Sequence, residues 1–225
     1  LLGQIKDGIP YLEKVRTWQP ENTEINYTLG MSYLQTRQPE RSREAFARLF
    51  RLAPDSAGAR LLTAQMMQRY QFEDFAEQEA RRAIELDPHL PQAHFLLGEL
   101  AIFHARLDEG IAEMLKEIEL NPAFANAYWR LGDAYARLLK WEEAIPHLQK
   151  AIWLNPYFSG PFIVLGKVYL KKKDYGNAEG ILRRATQMDP GNKSAHYLLA
   201  QTYQQLGRAE EAKREFAIAE KLQDN

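Results

Sequence analysis

The chain has 225 residues, 45% apolar and 26% charged, with 29 basic against 30 acidic side chains and a formal net charge of −1. That apolar share supports a packed core, and the balanced charge offers no basic excess to neutralise phosphate, so nucleic acid is not expected as a partner. With no cysteine in the chain, disulfides, thiolate metal sites and cysteine nucleophiles are all excluded.

The first predicted element, residues 1–22, is a single helix. Gly8, Leu12 and Val15 share one face, and Pro20 closes it. Pro20 opens a series with Pro54, Pro88, Pro122, Pro156 and Pro190, each 34 residues after the last. A fixed period of that length marks stacked repeats. In this frame, unit 23–56 carries Gly30, Tyr33 and Ser42 at its eighth, eleventh and twentieth places. Unit 57–90 carries Ala64, Met67 and Ala76, and unit 91–124 carries Gly98, Ala101 and Gly110. Units 125–158 and 159–192 repeat the pattern as Gly132, Tyr135, Ala144 and Gly166, Tyr169, Ala178; the last, 193–225, has Ala200, Tyr203 and Ala212.

Spacings of three and four within each half of a unit predict a helix, a turn and a second helix. The small residues belong where the two helix axes approach most closely. Proline ends the second helix, because it lacks an N–H and disfavours helix in the residue before it. Arg60 and Thr63 interrupt the apolar pattern of the second unit, and Leu49 and Glu117 stand where alanine is usual. Residues 1–22 match only the second helix of a unit, so the native chain is expected to extend upstream. In the last unit Lys213 and Glu220 replace apolar stacking residues, as a solvent-facing cap requires, so the native C-terminus is expected at or near Asn225.

These marks at this period resemble the tetratricopeptide repeat family over nearly the whole chain. The fullest copy is the unit with Leu131-Gly132, Tyr135, Trp141-Glu142-Glu143-Ala144 and Pro156. The resemblance implies an all-α fold, a right-handed superhelical solenoid of tandem helix-turn-helix repeats. It also implies a concave face lined by the first helix of each pair. On that face the fifth, ninth and twelfth or thirteenth places form the exposed stripe. In the first two units these are Tyr27, Met31 and Leu34, then Leu61, Gln65 and Arg69. Phe95, Glu99 and Phe103 follow in the third, and Trp129, Asp133 and Arg137 in the fourth, with Arg130 beside them. Ile163, Lys167 and Lys171 continue in the fifth, and Tyr197, Gln201 and Gln205 in the last. Aromatic anchors among a few charges suit an extended peptide or a partner helix. The fifth-place aromatics have a second reading, as packing between neighbouring first helices. The Lys-plus-Asn pattern by which some relatives grip acidic chaperone tails is not reproduced, nor are the asparagine ladders of the sugar-transferase relatives.

No catalytic or metal-binding motif appears, and no cofactor is expected. Gly160 and Gly166-Lys167 have the wrong spacing for a phosphate loop and fall inside a predicted helix. None of the five histidines stands at zinc-ligand spacing from another, and His94 and His196 occupy the inward fourth place as packing residues. No run approaches the roughly 20 apolar residues that cross a bilayer, so a soluble chain is expected, the cytoplasm favoured over other compartments. The expected function is a protein-interaction scaffold that holds a protein or peptide in its groove. The alternative is a recruiting domain of a larger enzyme whose catalytic part lies outside this chain.

Overall fold

The computed structural model describes residues 2–222, and among them it is all-α, with no strand. A leading helix, α1 (Leu2–Trp18), is followed by α2 (Thr23–Gln35), α3 (Pro39–Leu49), α4 (Ala57–Arg69), α5 (Glu73–Leu86) and α6 (Ala93–Phe103). Then come α7 (Leu107–Leu120), α8 (Ala125–Arg137), α9 (Trp141–Leu154), α10 (Ser159–Lys171), α11 (Tyr175–Met188), α12 (Lys193–Gln205) and α13 (Ala209–Lys221). The expected terminus at Asn225 lies outside the described residues.

Local chemistry sets the helix starts. Asn22, Ser56 and Asn192 cap α2, α4 and α12, each side chain accepting from the backbone N–H three residues on, at 3.1–3.2 Å. The second helices begin with paired acids, Glu73-Asp74, Asp108-Glu109, Glu142-Glu143 and Glu210-Glu211, which favour the positive end of the helix dipole. Helices α5, α7, α9 and α11 stop two residues before Pro88, Pro122, Pro156 and Pro190. Two elements depart from the frame. Helix α3 ends early at Leu49, where Arg51 turns to φ 57°. Helix α6 begins at Ala93 rather than residue 91, because Gln92 takes φ 68°, outside the right-handed helical region.

The turn inside each hairpin follows one design. The fifteenth place of every unit has positive φ: Arg37, Gln71, Ala105, Leu139, Lys173 and Gly207, between 57° and 74°. The next residue's N–H then reaches back five residues to the carbonyl of the eleventh place. These bonds run to Tyr33, Met67, Ala101, Tyr135, Tyr169 and Tyr203 at 2.8–2.9 Å. This is a left-handed helix cap of the Schellman kind.

The chain divides into two compact units, Leu1–Leu100 and Ala101–Asn225, the division falling within α6. In the first, α1 packs on α2 through Ile9 and Leu12 against Leu29 and Tyr33. The larger core of that unit joins Leu34 and Phe46 to Leu61, Ala64 and Met67 of α4, Ala76 and Ala80 of α5 and Leu96, Leu97 and Leu100 of α6. In the second unit successive helices from α7 to α13 pack in chain order, and the first helix α10 also touches α8 and α12. Its core includes Ala144, Leu148, Leu165 and Val168, then Ala178, Leu182, Leu199 and Tyr203.

The small eighth-place residues sit at the closest crossings. A Cβ on Gly132 would stand 2.6 Å from Leu148 Cγ and 3.3 Å from the Ala144 carbonyl oxygen; one on Gly30 would stand 2.5 Å from the Phe46 ring. Gly166 is pressed in the same way by Leu182. Ser42 Oγ donates to the Gly30 carbonyl at 2.9 Å, which closes the same contact by hydrogen bonding.

The irregular second unit of the repeat has a physical account. Arg60 reaches Glu79 at 2.9 Å and Arg43 reaches the other Glu79 oxygen at 3.0 Å. Both arginines also approach Asp55, at 3.4 and 3.2 Å. An ionic network thus replaces an apolar contact where α3, α4 and α5 meet. Thr63 is buried and donates to the Ala59 carbonyl at 2.7 Å, and Glu117 is fully buried.

Candidate functional site

The first helices present the predicted stripe, and the structure sorts its members. In the first unit, Tyr27 donates to or accepts from the Tyr70 hydroxyl at 2.5 Å and sets its ring 6.4 Å from Phe46. That bond raises the Tyr27 pKa above the ordinary phenol value. Met31 is half-buried against the core, and Gln65 is half-buried while Arg69 is exposed. Leu61 is only 7% exposed and belongs to the core, which corrects its expected place in the groove. Leu34 is wholly buried, a second correction. Phe95 and Glu99 of α6 are both half-buried.

In the second unit, Phe103 is 70% exposed, its ring edge-on to His104 at 5.4 Å. Trp129 meets Phe158 edge-on at 4.8 Å and carries the Arg130 guanidinium 4.1 Å from its ring centre. Its indole N–H is buried and unpartnered. The ring therefore fills the space between α8 and the turn before α10, in keeping with the packing reading of the fifth place. Asp133 is paired with Arg137 at 2.9 Å, so the charge expected of it is largely neutralised.

Asp133, Lys167 and Tyr197 do converge. With Ile163, Val164, Lys193, Ser194 and Leu198 they line one open groove of about 660 Å³ across α8, α10 and α12. Its floor is apolar: Ile163 packs against the buried cluster of Phe162, Ala185 and Ala195, and Tyr197, 47% exposed, is braced edge-on by Phe216 at 5.5 Å. Lys171 and Gln201 line an adjoining recess with Lys173, Tyr175, Gln204 and Gln205.

The neighbouring side chains are structural. Asn26 Nδ2 donates to the Pro20 carbonyl at 2.8 Å. His196, in the equivalent place, sets one ring nitrogen 3.1 Å from the Pro190 carbonyl and the other 2.6 Å from Glu215. In these two units the fourth place thus ties the first helix to the proline turn before it. Among the described residues no three His, Asp or Glu side chains group as metal ligands, and no helix is long and apolar enough to cross a membrane.

Two tetratricopeptide repeat profiles match the chain, one over residues 1–66 and 169–225, the other over 95–157. The chain belongs to the tetratricopeptide repeat family. A crystal structure of MamA is 23% identical, with TM-score 0.64 over 72% of this chain and 94% of that one. A MamA fragment from Desulfovibrio magneticus RS-1 is 16% identical, with TM-score 0.68 over 76% and 96%. YrrB, described as a TPR protein with an unusual peptide-binding site, is 21% identical, with TM-score 0.65 over 81% and 94%. No curated protein matches the chain. At these identities the structural likeness establishes the tetratricopeptide fold.

The stripe reading missed Val164, Lys193, Ser194 and Leu198, which face the groove from the edges of α10 and α12. It also missed how the charges are sorted. Helices α8, α10 and α12 carry five cations, Arg130, Arg137, Lys167, Lys171 and Lys193, against the single carboxylate Asp133. A signal was present in the sequence, but the whole-chain balance of −1 concealed it.

Proposed function

We propose that this protein is an interaction scaffold, and that the groove across α8, α10 and α12 holds a segment of a partner protein. The observation that carries the reading is the groove itself. It is concave, floored by Ile163, Val164, Tyr197 and Leu198, and rimmed by Lys167, Lys193 and Asp133. An apolar floor that excludes water inside a polar rim is the usual anatomy of a protein-binding surface, and a part-exposed tyrosine braced from behind makes a low-entropy anchor. YrrB, with its peptide-binding site and the same fold, lends support by analogy. The role is one of binding rather than catalysis.

A phage-displayed peptide selection on the immobilised chain tests this. Selected peptides are expected to lose binding to a Tyr197→Ala/Lys167→Ala double variant. They should keep it for Trp153→Ala, which removes an exposed indole from α9. Peptides indifferent to the groove substitutions would move the binding surface elsewhere.

A further inference from the structure

We infer that the groove selects an acidic segment, extended in the order apolar–x–acidic–x–acidic, with the apolar side chain at Ile163 and Tyr197 and the carboxylates at Lys167 and Lys171. The inference rests on the binding role proposed above and names the chemistry of its ligand.

Three observations carry it. The first is charge. The cations around the groove outnumber Asp133, which Arg137 already engages at 2.9 Å. Lys167 and Lys171 are exposed and pair with no carboxylate among the described residues. Elsewhere in this unit Lys172 pairs with Glu142, and Arg208 with Glu179 and Glu211. A carboxylate entering the groove therefore meets uncompensated positive charge.

The second is order along the helices. On α10 an apolar residue, Ile163, precedes Lys167 and Lys171; on α12 Tyr197 precedes Gln201 and Gln205. Both helices grade from apolar to polar in the same direction. The third is spacing. Residues four apart on a helix rise by about 6 Å, and alternate residues of an extended segment stand roughly 6.6 Å apart. Ile163, Lys167 and Lys171 can thus be met in turn by three side chains on one edge of a strand laid along α10.

The test is fluorescence anisotropy with the whole 225-residue chain and labelled peptides. The peptides are Phe-Ser-Asp-Ser-Asp in a Gly-Ser flank, its Asn counterpart and its Lys counterpart; a single-stranded uridine RNA is run alongside. The acidic peptide should bind more tightly than the Asn peptide and lose affinity as salt rises. Lys167→Glu/Lys171→Glu should weaken it about tenfold or more and admit the Lys peptide instead. Lys213→Glu on α13 should change nothing, and unchanged thermal melts should accompany both variants. Equal binding of the Asp and Asn peptides, both weakened by Tyr197→Ala, overturns the charge rule while leaving the binding role standing. Failure of all three peptides overturns both. RNA that binds and displaces the acidic peptide would mean the cations serve phosphate, and would also overturn the inference.

Discussion

Leu139 shows how much a single backbone angle asks of a residue. It holds φ 61° in the turn between α8 and α9, yet its side chain is exposed and gains little by packing. A left-handed residue with a Cβ is strained by roughly 1–2 kcal/mol, whereas glycine, which stands in the same place as Gly207, is not. Leu139→Gly should therefore raise stability by about 1 kcal/mol after the loss of chain entropy is counted. Urea unfolding that shows a loss would mean the turn depends on the leucine side chain.

His147 offers a second test at this scale. It stacks on Tyr135 with centroids 5.6 Å apart and lies 6.2 Å from Tyr128. Burial holds its pKa below the ordinary 6.5. Below that pH the unfolded chain takes up the proton more readily than the folded one, so protonation favours unfolding. Its contribution is fully present above pH 6.5 and is lost as the pH falls beneath it. Unfolding free energies at pH 7.5 and 5.5 should therefore differ more for the wild type than for His147→Phe. Identical differences would remove the imidazole from the account.

Among elements, the meeting of α3, α4 and α5 is held by a network of two arginines and two carboxylates. Glu79 is the only carboxylate of that network that is mostly buried, and Asp55 is largely exposed. Glu79→Gln should cost about 3 kcal/mol, because it strands two arginines in a partly dry site. Asp55→Asn should cost under about 1 kcal/mol. Thermal melts of the pair separate the two, and equal losses would contradict the burial argument. The sequence marked Arg60 as an irregularity, but its buried partner Glu79 lies 19 residues away on α5 and is shared with Arg43 on α3. Only packing of separate helices reveals such a network.

For the molecule as a whole, the consequence of the repeat is locality, since within each unit the helices pack on their neighbours in the chain. Gly132→Leu forces a side chain into space already filled by Leu148, costing about 1–3 kcal/mol. Hydrogen exchange should quicken in α8, α9 and α10, while α2 and α3 keep their protection. Uniform quickening would show a single cooperative body instead.

The hairpins and their family were legible in the sequence because the constraints behind them are local. A proline every 34 residues ends helices by its own covalent geometry, and a glycine or alanine stands at the eighth place of every unit, where the paired helices cross most closely. The site was less legible. Leu61 and Trp129 fit the stripe by position, yet one is in the core and the other wedged against Phe158. Lys193 and Leu198 lay off the stripe and line the groove. Periodicity assigns a residue to a helix face, but whether that face meets solvent depends on how closely the next hairpin approaches. That distance is set by side chains distant in sequence, so tertiary packing alone decided which members of the stripe stayed open.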